Sequence, residues 1–271
     1  FFETPTTDLA TVFLPAATHL ERQTLIAALN GRVQYRPAAV APRGDAHGDT
    51  EMLFDMADAL GFKEQFWGGD IHASYDERMT PLRLDFADLP ENGKSQSIEL
   101  ENLPDRGYEE TGFKTPSGKV EFASIRLAEA GHDALPTHAE PMWSPAASPE
   151  VAKDFPLVLT SGGRSPNFTH SQGRNLDTLR VLEPNPRIQI SPADADARGI
   201  EDGDAVAVSS PLAEIEMRAW VTDIVMPGVA HAPHGWPGAN INALIPDEEA
   251  ALDPITGYPP FKSSLCQVAK V

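Results

Sequence analysis

The sequence has one cysteine, few cations and no long apolar run. Cys266 alone cannot form an intramolecular disulfide, a four-cysteine zinc site or a cysteine-held iron–sulfur cluster. Lysine and arginine number 21 against 40 aspartates and glutamates, for a formal net charge of -19. A surface this acidic repels nucleic-acid phosphates and anionic lipids, so no nucleic-acid partner is expected. No stretch reaches the roughly 18 apolar residues of a membrane span, so direct membrane insertion is not expected either.

The first region, 1–65, has the pattern of an α/β segment. Leu9–Leu14 is an apolar run that stops at Pro15, which predicts a buried strand. Asp49–Gly61 predicts a helix, since its apolar residues share one face. A polar loop is predicted between them, with turn residues at Asn30, Gly31, Pro37, Pro42 and Gly44. Because the chain lacks an initiator methionine and enters a predicted strand almost at once, we expect it to derive from a longer parent.

The second region, 66–152, is predicted to be a connecting region. Thr115–Gly118 has the composition of a turn between two short strands, with Val120 and Phe122 alternating after it. Ser124–Ala130 predicts a short helix that ends at Gly131. Four prolines then interrupt any helix or central strand, so a linker is expected at about 132–152.

The third region, 153–271, is predicted to be mainly β. Phe155–Thr160 predicts a strand, and apolar residues alternate later at Ile188 and Ile190, Val206 and Val208, and Ile215 to Val221. Helices are predicted over Gly173–Leu182 and from Ser191-Pro192 to Gly199, with a hairpin-type turn at Asp202-Gly203. Short strands separated by turns and one or two helices predict a small closed barrel.

One loop in this region combines glycines, cations and hydrogen-bonding side chains. It reads Ser161-Gly-Gly-Arg-Ser-Pro-Asn-Phe-Thr-His-Ser-Gln-Gly-Arg-Asn175 and lies between a predicted strand and a predicted helix. Glycines allow a ligand close to the backbone, arginines offer paired donors to phosphate, and a helix beginning near Arg174 would add its amides. The alternative is an ordinary polar loop. Two arginines beside a helix start, in so acidic a chain, favour anion binding, although neither the Rossmann nor the Walker motif is present.

Two further stretches contain candidate ligand contacts. His231-Ala-Pro-His-Gly-Trp-Pro-Gly-Ala-Asn-Ile-Asn242 is rich in neutral donors suited to a heterocycle, and Lys262 follows a rigid Gly257-Tyr-Pro-Pro-Phe segment. A metal site at His231 and His234 is disfavoured, because Pro233 breaks any helix that would align them. No catalytic residue and no metal ligand is assigned, and Cys266 is expected to be a packed apolar residue.

Together these motifs resemble the C-terminal segment of molybdopterin oxidoreductases of the dimethyl sulfoxide reductase family. The most specific match is Ile190-Ser-Pro-Ala-Asp-Ala-Asp-Ala-Arg-Gly-Ile-Glu-Asp-Gly-Asp-Ala-Val-Ala-Val208. Similar matches are Pro227-Gly-Val, His234-Gly-Trp, Asn242-Ala-Leu and Pro260-Phe-Lys. Upstream, the family is resembled by Ala10-Thr-Val-Phe-Leu-Pro-Ala-Ala-Thr18, Asn30-Gly-Arg-Val-Gln34 and Phe113-x-Thr-Pro-Ser-Gly-Lys-Val-Glu121.

The resemblance implies a fold and a cofactor. Residues 1–65 would be the late part of an interrupted α/β domain, 66–152 the connecting region, and 153–271 a double-psi β-barrel. Two molybdopterin guanine dinucleotides would hold one molybdenum or tungsten ion. The implied cofactor-binding residues are Gly162, Arg164, His170, Ser171, Gln172, Arg174, His234, Asn242 and Lys262. His170 is the best candidate for handling a proton, and the favoured alternative is that it only hydrogen-bonds the pterin.

The resemblance also implies what must come from elsewhere. The metal ligand and any iron–sulfur cluster would lie in a missing N-terminal half or in a partner, and an electron-transfer subunit is a further expected partner. The whole protein would catalyse two-electron or oxygen-atom transfer in the periplasm or cytoplasm of a prokaryote, and this chain alone is expected to be inactive. The alternative is a non-catalytic barrel that docks a partner subunit and binds no pterin.

Overall fold

The computed structural model describes residues 2–27, 32–89, 95–97 and 106–271. The chain forms two compact units, Phe1–Leu135 and Pro136–Val271. The boundary between the units falls inside the proline-rich segment 132–152, and the limits of the three sequence regions stay a prediction. Within the described residues, no helix combines the length and apolar character needed to cross a bilayer.

The first unit contains a three-stranded antiparallel sheet and several helices. Its strands are β1 (Thr24–Ala27), β2 (Arg32–Arg36) and β3 (Ser95–Ser97), in the order β1-β2-β3. Its α-helices are α1 (Asp49–Ala59), α2 (Ile71–Met79), α3 (Tyr108–Thr111) and α4 (Ile125–Glu129), and short 3₁₀ helices lie at Thr7–Leu9, Lys63–Gly69, Thr80–Leu82 and Phe86–Asp88. A small core forms where the sheet meets α2, from Leu25, Val33, Tyr75, Met79 and Leu89.

The predicted strand at Leu9–Leu14 is wrong. The chain there has a 3₁₀ turn at Thr7–Leu9 and no strand after it, and Leu9 is 87% and Val12 73% exposed. A strand needs a neighbour to satisfy its backbone groups, and no described strand pairs with this run. The polar loop predicted downstream is also wrong in part, because β1 and β2 lie within it. The predicted turn residues Asn30 and Gly31 lie outside the described residues.

The predicted helix at Asp49–Gly61 is confirmed as α1. Gly61 follows it with a φ of +82°, where an L side chain would be strained. Its apolar face carries Met52, Leu53, Met56 and Leu60, and most of that face is exposed, with Leu53 at 58% and Leu60 at 69%. The helical spacing of these residues therefore predicted the helix correctly, although the described residues of this unit do not bury its apolar face.

In the connecting region, the helix and the turn are confirmed and the strands are not. Ser124 caps α4 by accepting the Leu127 N–H at 3.2 Å, and Gly131 follows with a φ of +82°. The Gly118 N–H donates to the Thr115 carbonyl at 3.0 Å, which closes the predicted turn. No strand flanks it, and Phe122 is 86% exposed. An alternating pattern without a pairing partner does not make a strand.

The second unit is a closed six-stranded barrel, which confirms the predicted C-terminal double-psi β-barrel. Its strands are β4 (Leu157–Thr160), β5 (Arg187–Ile190), β6 (Ala205–Ser209), β7 (Glu214–Val221), β8 (Val229–His231) and β9 (Ser264–Lys270). They close in the order β4-β8-β5-β7-β6-β9. The pairs β4/β8 and β5/β7 are parallel and the others antiparallel. Closure leaves no unpaired sheet edge.

The alternating residues of these strands fill the barrel. Ile188, Ile190, Val206 and Val208 are fully buried at its centre, as their period of two predicts. Outside the strands lie α5 (Pro149–Asp154), α6 (Asp177–Arg180) and α7 (Pro192–Asp196), with 3₁₀ turns at Pro237–Ala239, Ile241–Leu244 and Glu249–Ala251. The predicted helix after Ser191 is confirmed as α7, since the Ser191 hydroxyl accepts the Asp194 N–H at 3.2 Å.

The helix predicted over Gly173–Leu182 is shorter than expected. Gly173 has a φ of +90° and Leu176 is extended, so helical geometry begins only at Asp177 and lasts four residues. The expected helix start beside Arg174 is therefore wrong. Arg174 offers an anion its guanidinium, without the amides of a helix N-terminus.

Candidate functional site

The loop that follows β4 forms one wall of a cavity at an end of the barrel. The Ser161 N–H donates to the Phe261 carbonyl at 2.8 Å, which brings the segment before β9 alongside this loop. A Cβ on Gly162 would lie 3.1 Å from Lys262 Cε, so the lysine stem packs directly on the glycine backbone. The two segments that sequence analysis singled out separately are therefore neighbours.

The cavity has a volume of about 830 Å³ and combines residues from three distant parts of the chain. Of the nine predicted site residues it brings together five, namely Gly162, Arg164, His170, His234 and Lys262. The other lining residues are Ser161, Tyr258, Pro259, Pro260, Phe261 and Ser263. Sequence reasoning treated Tyr258 to Phe261 as a rigid stem for Lys262 and missed that they line the cavity. Their run of two prolines between aromatics was the available signal.

A chain of hydrogen bonds orients two histidines in this cavity. His234 Nδ1 lies 3.3 Å from the Ser161 carbonyl oxygen, which can only accept, so Nδ1 carries the proton. His234 Nε2 is then the acceptor, and both His170 Nδ1 and Arg164 Nη1 approach it, the latter at 3.5 Å. When His170 donates from Nδ1 in its neutral form, its Nε2 is left as an acceptor.

The electrostatics of the cavity favour neutral His170. Desolvation lowers the pKa of His170, and the positive charge of Arg164 and the nearby His234 lower it further. His170 therefore remains an uncharged hydrogen-bonding group at neutral pH, beside cations that carry the positive charge of the site.

The two loops approach each other too closely for a side chain at Gly235. Gly235 has a φ of +102°, and a Cβ there would lie 2.7 Å from the His170 carbonyl carbon and 2.8 Å from its oxygen. His170 itself has a φ of +53°, a strained conformation for a residue with a Cβ. The glycine thus lets one loop fix the backbone that presents His170 to the cavity.

Arg174 is buried without a complete set of hydrogen-bond partners. It is 7% exposed, its guanidinium lies 5.1 Å from the Trp236 ring centre, and burial lowers its pKa. Arginine stays charged even so. Arg174 Nη1, Trp236 Nε1 and the hydroxyl of Ser161 have no hydrogen-bond partner among the described residues. Such groups are normally satisfied, so they call for acceptors or donors from outside the barrel.

The remaining predicted residues lie on exposed loops. Ser171 and Gln172 follow His170 in a tight turn, where the Gln172 N–H donates to the Thr169 carbonyl at 2.8 Å. Asn242 is exposed within the 3₁₀ turn Ile241–Leu244, and its N–H donates to the Asn240 side chain at 3.2 Å. None of the three lines the cavity, and their role as ligand contacts stays a prediction.

Cations in the barrel unit divide into two groups. Lys153, Arg180, Arg198 and Lys270 each pair with a carboxylate of the unit. Arg164, Arg174 and Lys262 have no carboxylate within 4.0 Å in the unit, although its surface is rich in acids. Arg187 and Arg218 have none either, so two of the five unpaired cations of the unit, Arg164 and Lys262, line the cavity, which suits an anionic ligand.

His231 and His234 do not form a metal site together. His231 lines a second cavity of about 160 Å³ with Arg164, while His234 lies in the larger one. Among the described residues there is no group of three or more His, Cys, Asp or Glu side chains that could hold a metal ion.

The barrel matches one family model, and the chain is similar to several known proteins. Residues 157–265, from the start of β4 into β9, match the model of the molydopterin dinucleotide binding domain. Acetylene hydratase of Syntrophotalea acetylenica is 27% identical over 97% of this chain and 38% of its own length. Dimethyl sulfoxide reductase DmsA of Haemophilus influenzae is 28% identical over 75% of this chain and 28% of its own.

A solved structure extends the likeness to the whole chain. Acetylene hydratase from Pelobacter acetylenicus superposes with a TM-score of 0.87 at 26% identity, covering 99% of this chain and 39% of that one. The chain thus spans about two fifths or less of the relatives described here.

Proposed function

We propose that this C-terminal part of a dimethyl sulfoxide reductase family oxidoreductase, whose residues 157–265 form a molydopterin dinucleotide binding domain, holds molybdopterin guanine dinucleotide in its barrel cavity. One observation carries the proposal. Arg164, His170, His234 and Lys262, from three segments of the chain, meet in one cavity of about 830 Å³. That convergence supports a single large ligand with both charged and heterocyclic parts.

The residues present fit such a group. The cofactor carries a pyrophosphate, and Arg174 Nη1 is a buried donor that lacks an acceptor. The Ser161 hydroxyl is likewise buried without a partner at the cavity wall. Gly162 has no side chain, which lets the Lys262 stem pack on its backbone at the cavity wall.

Each group in the site has a distinct proposed role. Arg164, Arg174 and Lys262 balance the charge of the phosphates, with the two arginines able to donate two parallel hydrogen bonds. His170 accepts from the edge of the pterin through Nε2, and His234 holds His170 in that tautomer. Ser171, Gln172 and Asn242 complete the contacts from the exposed loops.

The bound cofactor would supply the redox chemistry through a molybdenum or tungsten ion held by its dithiolenes. This chain would bind and orient the cofactor and set the field around it, and no residue of it acts as a general acid or base in this account. The chain needs the N-terminal half or subunit for the metal ligand and for any iron–sulfur cluster, and an electron-transfer subunit is a further expected partner. Whether the whole protein transfers two electrons or an oxygen atom depends on that half.

His170 presents a hydrogen-bond acceptor to the cofactor. Its Nδ1 is directed to His234, whose tautomer the Ser161 carbonyl fixes. His170 Nε2 is left as an uncharged acceptor. The hydrogen bonds that fix this tautomer lie within the protein and do not depend on the cofactor. The pair therefore positions one acceptor in the cavity before any ligand binds.

The test is cofactor retention in the full-length protein. Arg164→Ala and Arg174→Ala should each lower the amount of molybdenum or tungsten and of guanine nucleotide that copurifies. Arg218→Ala is the matched control, since Arg218 is an exposed cation of β7 that lines neither cavity. Unchanged retention in both site variants would contradict the proposal. A stable complex with a partner, without metal or guanine in the unmodified protein, would support the alternative of a docking module.

A further inference from the structure

A second cavity lies on the outer wall of the barrel, beside the cofactor cavity. Its volume is about 160 Å³. Three neighbouring strands supply its floor, because Gln189 on β5 is in register with Trp220 on β7 and with His231 on β8. Residues 164–167 and Glu183 cover it, and Arg187 closes one side. Arg164 is the one residue that lines both cavities.

Two arginines face this cavity, and neither forms an ion pair within the barrel unit. Arg187 rests on the Trp220 ring, with its guanidinium carbon 4.3 Å from the ring centre. No carboxylate of the barrel unit lies within 4.0 Å of Arg164 or Arg187. The buried Glu183 lines the same cavity, where its Oε2 accepts from the Ser165 hydroxyl at 2.6 Å and from the Asn167 amide at 3.3 Å.

The other polar groups around the cavity are neutral. Burial lowers the pKa of His231, which keeps its imidazole uncharged at neutral pH. A Cβ on Gly163 would lie 2.7 Å from His231 Nε2, so the glycine backbone holds that ring in place. Gln189 adds an amide. The charged side chains that line the cavity are therefore Arg164, Arg187 and Glu183, which leaves an excess of positive charge.

The size of the cavity limits what can bind there. A volume of 160 Å³ corresponds to about five water molecules, which is room for an anion of four or five heavy atoms and too little for a pterin or a nucleotide. We propose that this outer cavity binds a small oxyanion of the size of phosphate, held by Arg187 and Arg164.

Such a site would act on its neighbour through Arg164. In the structure Arg164 Nη1 lies 3.5 Å from His234 Nε2, at the edge of the cofactor cavity. An anion on the outer side competes for the same guanidinium, so its binding loosens the contact with His234. Occupancy of the outer cavity is thereby linked to the hydrogen-bond chain that orients His170.

Calorimetric titration of the full-length protein with inorganic phosphate tests the inference. The unmodified protein should bind one phosphate per chain, and Arg187→Gln should weaken binding about tenfold or more, because a paired charged contact is lost. Arg218→Gln is the matched control. Arg218 is in register with Arg187 on the neighbouring strand but does not line the cavity, so binding should be unchanged.

Two results would overturn the inference. One is the absence of phosphate binding in the unmodified protein. The other is equal weakening by Arg187→Gln and Arg218→Gln, which would indicate a general effect of charge. If Arg187→Gln fails to fold, Gln189→Glu serves instead, since it adds a carboxylate to the cavity floor and leaves the Arg187–Trp220 stack intact. Metal and guanine content should stay unchanged in Arg187→Gln. A failure of the phosphate proposal is therefore distinguishable from a failure of the proposed cofactor function, because the two are read from different measurements.

Discussion

Replacing Gly235 with alanine tests how the two loops of the cofactor cavity hold each other. At a φ of +102° the new side chain is strained, and its Cβ would meet the His170 carbonyl carbon at 2.7 Å. These are backbone atoms, which cannot rotate away. The substitution therefore forces the loop that carries His170 to move.

The expected cost has two parts. The left-handed conformation costs an L residue about 1–2 kcal/mol, and forcing atoms into a packed site costs typically about 1–3 kcal/mol. Together they give a loss of roughly 3 kcal/mol in the stability of the barrel. Gly228→Ala separates the parts, because Gly228 has a φ of +84° with nothing within 4 Å of its Cβ position. That control should lose only about 1 kcal/mol. The unfolded-state effect of adding a methyl group is the same in both variants and cancels.

Amide hydrogen exchange in the full-length protein can measure this difference locally. Peptides covering β4 and β8 report the opening free energy of the barrel, whatever the stability of the remaining domains. Cofactor content should fall in Gly235→Ala and stay unchanged in Gly228→Ala. Equal protection and equal cofactor content in the two variants would refute the close approach of the loops.

Three further predictions concern the barrel alone. Because burial lowers the pKa of His231 from its usual 6.5, the unfolded chain takes up the proton first as pH falls. The contribution of His231 to stability is therefore full above about pH 6.5 and declines below it. In urea unfolding, His231→Gln should lose less unfolding free energy between pH 7 and pH 5 than the unmodified protein. An identical decline in the two proteins would contradict this. Burial raises the pKa of Cys266 to about 12, so a thiol reagent at pH 8 should label it only after unfolding, and rapid labelling of the native protein would show that the burial is wrong. Leu159→Ala should cost about 2–5 kcal/mol in unfolding free energy, since Leu159 is 1% exposed, and a loss below about 1 kcal/mol would place it outside the core.

The barrel was largely predictable because its signals are local. In β6 the apolar residues Val206 and Val208 alternate with outward positions, and Asp202-Gly203 marks the turn before it by side-chain chemistry. Ser191-Pro192 marks a helix start in the same way. Each of these signals depends on residues only a few positions apart, so the sequence displays them directly.

The errors fall where long-range pairing decides the structure. Leu9–Leu14 has strand composition without a partner, while β1 and β2 pair with each other across a segment that looks polar. The site shows the same division. His170 and His234 are 64 residues apart, and no spacing rule predicts their hydrogen bond. Arg174 was predicted to act at a helix start, but the left-handed Gly173 delays the helix and packing against Trp236 buries the arginine.

The most direct test of the central claim is the guanine nucleotide and metal content of the purified full-length protein. Acid hydrolysis should release GMP in a ratio of two per molybdenum or tungsten ion, and Arg174→Ala should lose both together. If the folded, complete protein contained neither guanine nor metal after expression with an intact cofactor supply, the cavity would not be a molybdopterin site.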